Sequence, residues 1–101
     1  MAPTEKDILE WRVRVPENVV YRDFPEETVI LNLDTGMYHG LNLIAARMLD
    51  VLQQRATVDL AVADLTGEFD QPRERIERDV VGLCRALSER GLIVNDVDGN
   101  R

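Results

Sequence analysis

Few residues in this chain have the chemistry for catalysis. There is one histidine, His39, and one cysteine, Cys84. An imidazole works as a general base or metal ligand only when another group orients it. Cys84 falls inside an apolar helical stripe, whereas a nucleophilic thiol needs an exposed, electropositive setting. No CxxC or HxxxH spacing is present, and the six glycines are scattered rather than gathered into a phosphate loop. A lone cysteine allows no internal disulfide, which fits the cytosol. The expectation is a non-catalytic, cytoplasmic protein with no metal and no cofactor. Arg73, Arg75, Arg78, Arg85 and Arg90 stand among Glu74, Glu77, Asp79 and Glu89. Two readings stay open: a groove wall that meets a charged partner, or a solvated face laced with pairs at three- and four-residue spacing.

The frame that must position these groups is small. The 101 residues fit one domain, and 45% hydrophobic with 31% charged residues is ordinary globular composition. The net charge of −7 disfavours a phosphate-backbone partner. No stretch approaches the ~18 apolar residues of a membrane span. The polar start lacks the basic-then-apolar order of a secretory signal. Residues 1–10 are expected to be a flexible arm, 11–95 the domain, and 96–101 a flexible tail.

Strand chemistry fills the first half. Trp11, Val13 and Val15 alternate with Arg12 and Arg14. Val19–Phe24 and Thr28–Leu33 are β-rich, with Val29, Leu31 and Leu33 sharing one face. Asp34-Thr35-Gly36 reads as a hairpin loop, Gly36 taking a positive φ. Met37–Leu41 is the return strand. Helix chemistry fills the second half. Asn42 is placed to cap a helix over 43–54 carrying Ile44, Ala45, Met48, Leu49 and Leu52. Thr57 caps a second, whose stripe is Val58, Ala61, Val62, Leu65 and Phe69. A third begins near Pro72 and carries Ile76, Val80, Leu83, Cys84 and Leu87. Gly91 ends it, with Leu92 and Ile93 returning to the core. The plan is α+β: a three-stranded antiparallel sheet followed by three helices, in a winged helix-turn-helix-like arrangement.

A sheet of this kind leaves an edge. Met37, Tyr38, His39, Gly40 and Leu41 include no Lys, no Pro and no run of charge, the usual devices that blunt one. An extended peptide can add to such a strand. Coverage of the edge by a helix or by the arm is the alternative.

The order "VVYRDFPEETVILNLDTGMYHGLNLIAARMLDVL", "TVDLAVADLTGEF", "IERDVVGLCRALSERGLIV" resembles the PqqD-like family of precursor-peptide recognition elements, over about residues 15–95. The resemblance rests on the apolar strand before Asp34-Thr35-Gly36, on Tyr38-x-Gly40-Leu41-Asn42, and on Asp79-Val80…Leu83…Leu87…Gly91-Leu92. It implies a winged-helix-like fold that binds the leader of a ribosomally made precursor peptide. It further implies that the leader adds as a strand along Met37–Leu41, beside the helix Pro72–Arg90. The freestanding length is most similar to the leader-binding proteins of lasso-peptide clusters, with a leader peptidase as enzyme partner. Quinone-cofactor and radical-enzyme clusters use similar proteins.

On the third helix, Arg75, Arg78, Asp79, Gly82, Leu83 and Ala86 are the expected peptide-facing set, with the opposite flank, Glu77, Val81 and Ser88, as the alternative. Gly82 costs roughly 1 kcal/mol against Ala inside a helix, and close approach of a ligand is one reason to keep it. The expected partners are a leader peptide and its modifying enzyme, with no nucleic acid and no membrane, the chain being a monomer or a weak dimer through the sheet edge. A winged-helix DNA-binding regulator is the rival reading.

Overall fold

A computed structural model gives the fold, described here for residues 2–96. Its elements are α1 (Glu5–Leu9), β1 (Val13–Arg14), β2 (Val19–Phe24), β3 (Glu27–Asn32), β4 (Tyr38–Asn42), α2 (Leu43–Gln54), α3 (Val58–Phe69), α4 (Arg73–Glu89) and β5 (Val94–Asn95). β2, β3 and β4 form an antiparallel sheet in that order, so β2 and β4 are its two edges. The expected α+β class and three-stranded antiparallel sheet are therefore present. β1 and β5 make a separate two-stranded ribbon, pairing Val13 with Asn95 and Arg14 with Val94.

Two expectations change at the chain's start. Residues 1–10 are not a loose arm throughout, because Glu5–Leu9 is helical and Ile8 is fully buried. Thr4 and Asp7 close a reciprocal capping box at its start. The carboxyl of Asp7 is held below its ordinary value by the Thr4 backbone and hydroxyl hydrogen bonds. The Trp11–Val15 alternation forms only a two-residue strand, whose partner among the described residues is the equally short β5. Asp96, assigned to the tail, is tied down by an Arg14 ion pair at 3.0 Å and by donating its N–H to Arg12 O. The rest of the expected tail, 97–101, lies outside the described residues.

The sheet packs one face on the helices. Val19, Ile30 and Leu41 point into the core from neighbouring strands. The Val29–Leu31–Leu33 set takes the outer face, since strand side chains alternate; Leu33 lies beyond the end of β3 and is 60% exposed. Thr57 caps α3 by accepting from Leu60 N, and Val58, Ala61, Val62 and Leu65 are buried beneath it. α4 buries Ile76, Val80, Val81, Cys84 and Leu87. Leu83, expected inside with them, is only half-buried.

α4 ends in a Schellman turn: Leu92 N donates to Leu87 O and Gly91 N to Ser88 O. Gly91 has φ +68°, and a Cβ there would come within 2.9 Å of Asn32 Nδ2. Gly91→Ala is expected to cost about 1–2 kcal/mol from the left-handed backbone alone. Displacement of Asn32 adds to this, and denaturant unfolding would read the total.

Candidate functional site

Asn32 is the one buried polar residue among those described, at 5% exposure. Its Oδ1 accepts from Asp34 N (2.8 Å), Thr35 N (3.1 Å) and Asn18 Nδ2 (3.2 Å). Its Nδ2 donates to Gly91 O (2.9 Å). One amide thus shapes the β3–β4 loop and ties it to the C-terminal end of α4. Gly36, with φ +77°, donates its N–H to Asn32 O, and Asn32 N donates to Met37 O (2.9 Å). At the other end of β4, Asn42 Oδ1 accepts from Ala45 N (2.8 Å) and starts α2.

The Asn32–Met37 bond also fixes which backbone groups of β4 are free. Pairing in an antiparallel ladder alternates between hydrogen-bonded and non-hydrogen-bonded residues. With 32 and 37 bonded, the bonded pairs continue as Ile30–His39 and Thr28–Leu41. Leu31–Tyr38 and Val29–Gly40 are the non-bonded pairs. The N–H and C=O groups of Tyr38 and Gly40 therefore point away from β3, and no described strand pairs with that side of β4.

A trough runs along this edge. Its first part, about 420 Å³, is lined by Gly36, Met37, Tyr38, His39, Gly40 and Arg90. The next, about 340 Å³, begins at His39 and is walled by Ala45, Met48, Asp79, Gly82, Leu83 and Ala86, among others. The last, about 360 Å³, shares Ile44, Met48 and Asp79 and reaches Phe69, Gln71, Arg75 and Ile76. As the chain runs forward from Gly36 to Ile44, the trough runs backward along α4 from Arg90 to Arg75.

Nine of the eleven residues expected to face a peptide line this trough. Two do not. Leu41 is buried beneath the sheet, and its backbone faces β3. It lines instead a separate cavity of about 520 Å³ beside β2, with Tyr21, Asp23 and α2 residues such as Arg47 and Asp50. That cavity is larger than any one part of the trough but lies away from the β4 edge. Arg78 is exposed and lines no part of the trough, because its angular position on α4 turns it toward solvent. The opposite flank is closed: Val81 is buried, Glu77 pairs with Arg73, and Ser88 donates to Arg85 O.

Sequence reasoning missed Ile44, Met48, Phe69 and Arg90 as trough residues. Helical spacing sets Ile44 in the core stripe of α2, yet it is 58% exposed. An apolar residue in the first turn, directly after an open edge strand, was the available signal. A Cβ at Gly82 would meet nothing within 4 Å, so this glycine leaves the wall of the trough open. Gly82→Ala is expected to raise stability by about 1 kcal/mol through helix propensity, read as a higher midpoint of thermal unfolding.

Burial sets the electrostatics of His39 and Cys84. Burial, then the charge of Arg90, holds the His39 pKa below its ordinary value. No carboxylate hydrogen-bonds to it among the described residues. Burial pushes the Cys84 thiol up to about 12, far from a reactive thiolate. No cluster of His, Cys, Asp or Glu suited to a metal ion occurs among the described residues. No described helix is long and apolar enough to cross a membrane.

Residues 27–93 match the family described as "Coenzyme PQQ synthesis protein D (PqqD)". This chain belongs to the PqqD family. Two solved structures are similar to this PqqD-family chain. One is described as "TbiB1 in Complex with the TbiA(beta) Leader Peptide"; it is 29% identical, with a TM-score of 0.67, covering 79% of this chain and 93% of that one. The other is "Lasso peptide synthetase B1 complexed with the leader peptide"; it is 25% identical, with a TM-score of 0.72, covering 82% and 98%. No curated protein matches the sequence.

Proposed function

We propose that this protein is a non-catalytic leader-binding adaptor in the biosynthesis of a ribosomally made, modified peptide, a lasso peptide by similarity to its structural neighbours. The observation that carries this reading is the outward-facing backbone of Tyr38 and Gly40 beside a trough whose middle part is mainly apolar, in a PqqD-family chain. Both similar structures are described as complexes with a leader peptide.

In this reading the leader adds as a fourth strand on β4. Ladder hydrogen bonds supply affinity that tolerates sequence change. Apolar leader side chains enter between Ala45, Met48, Gly82, Leu83 and Ala86, where a few buried anchors dominate the energy. The adaptor then presents the leader to a peptidase or another modifying enzyme, raising the local concentration of the attached core peptide. The arrangement of sheet and helices is read as winged-helix-like, with β3–β4 as the wing. A regulator that places α4 in a DNA groove is disfavoured by the net charge of −7 and by the pairing of Arg73 with Asp59 and Glu77.

The test is titration of a fluorescein-labelled synthetic leader peptide of a lasso-peptide precursor. Saturable binding is expected for the parent protein. In a folded Gly82→Phe variant, whose ring fills the trough, affinity should fall by at least about tenfold, the loss of one good anchor. Equal binding by both proteins, or tight salt-sensitive binding to duplex DNA instead, would overturn the reading.

A further inference from the structure

Arg14, Arg47, Arg55 and Arg73 each hold a carboxylate within the fold, while Arg12, Arg22, Arg75, Arg78, Arg85 and Arg90 form no ion pair among the described residues. Of the latter, Arg75 and Arg90 line the two ends of the trough. Arg90 donates one N–H to Ala86 O, 3.3 Å away, which leaves most of its donor fork free. Asp79 lines the trough between them and likewise has no ion-pair partner among the described residues. Along α4 the trough therefore reads positive, negative, positive. The two arginines are about 22 Å apart at 1.5 Å per residue, roughly seven residues of extended chain. Asp79 lies one helical turn from Arg75, so the pattern is lopsided.

From this arrangement we infer that the trough selects a leader segment with the complementary order: two acidic side chains roughly six residues apart, an even spacing that turns both toward α4 in an added strand, with a cationic side chain at an even position between them. The inference rests on the leader-binding reading above and adds a specificity rule to it. Apolar contacts and the β4 ladder supply affinity without regard to charge. Arg90, Asp79 and Arg75 reject segments of the wrong sign, because like charges set face to face are penalised. The protein's net charge of −7 repels an acidic segment at long range, so the discrimination arises only at contact.

The test uses two synthetic peptides of roughly 11 residues with the same apolar alternation, suited to an added strand. One carries Glu, Lys and Glu at the three positions, and the other Lys, Glu and Lys. Binding is measured by fluorescence polarisation to the parent protein, to Gly82→Phe, and to the triple variant Arg75→Glu/Asp79→Arg/Arg90→Glu. The Glu-Lys-Glu peptide is expected to bind the parent at least about fivefold tighter in dilute salt, the preference shrinking at high salt. The triple variant should invert the preference, an outcome that simple loss of structure does not produce. If both peptides bind equally and both are lost in Gly82→Phe, the charge rule is wrong and the trough reading stands. If neither binds, or if binding ignores Gly82→Phe, both are overturned.

Discussion

Gly40→Pro and Tyr38→Pro are each expected to leave the protein folded while weakening leader binding by roughly 10- to 100-fold. Each removes an N–H that points away from β3, and a net ladder hydrogen bond is worth about 0.5–1.5 kcal/mol, with the ring also holding the incoming strand away. The fold tolerates these changes because proline on an edge strand costs no internal ladder bond when its nitrogen faces outward. At Gly40 the nearest obstacle to a side chain is the carboxylate end of exposed Glu27, which can swing aside. His39→Pro is the control. Its N–H faces Ile30 across the ladder, so this change should lower stability first. The contrast between positions 38 and 40 on one side and 39 on the other follows from register alone. Circular dichroism for folding and fluorescence polarisation for binding would measure it.

Asn32→Ala should be the most destabilising single polar change, at about 2–4 kcal/mol. It strips the loop amides of Asp34 and Thr35 and the Gly91 carbonyl of their partner at a buried position, and each unmet group costs about 1–3 kcal/mol before water repairs part of it. For a domain of this size, each kcal/mol lowers the melting temperature by roughly 4–8 °C. Asn32→Asp separates the two halves of the role. It keeps the acceptor for the loop but sets a carboxylate against the Gly91 carbonyl. Burial and that carbonyl favour the protonated acid, while the three donors on the acceptor oxygen favour the carboxylate, so the two ends of the side chain pull in opposite directions. The variant is expected to keep the loop contacts but lose the tie to Gly91, and so to fall between Asn32→Ala and the parent protein in urea unfolding.

Much of the fold was legible because local chemistry and tertiary need agree. The limits of α2 and α3 follow from Asn42 and Thr57, whose side chains accept from the free N–H groups of the first turn. The end of α4 follows from Gly91, whose positive φ suits a residue without a Cβ. The absence of edge-blunting residues in Tyr-His-Gly-Leu-Asn was legible, but only the strand order shows that no described strand covers β4. What stayed hidden depends on contacts distant in sequence. Ile8 looks like a stray apolar residue in a polar start until α3 and α4 are there to bury it. β1 finds its partner some eighty residues later, in β5. Asn32 reads as one more polar position in an alternating strand, and only the return of α4 brings Gly91 O within reach. Arg78 and Leu41 were misplaced for a related reason: helix spacing and strand alternation name a face, but the packing decides which face meets the trough.

The central claim is that a peptide adds along the outer edge of β4. Amide hydrogen exchange, followed by NMR with and without saturating leader, addresses it most directly. The Tyr38 and Gly40 amides, free of the β3 ladder, should exchange readily in the unliganded protein and become strongly protected in the complex, while the outward amides of Tyr21 and Asp23 on the opposite edge stay unchanged. Protection that appears at β2, or binding that leaves Tyr38 and Gly40 exchanging as before, would contradict it.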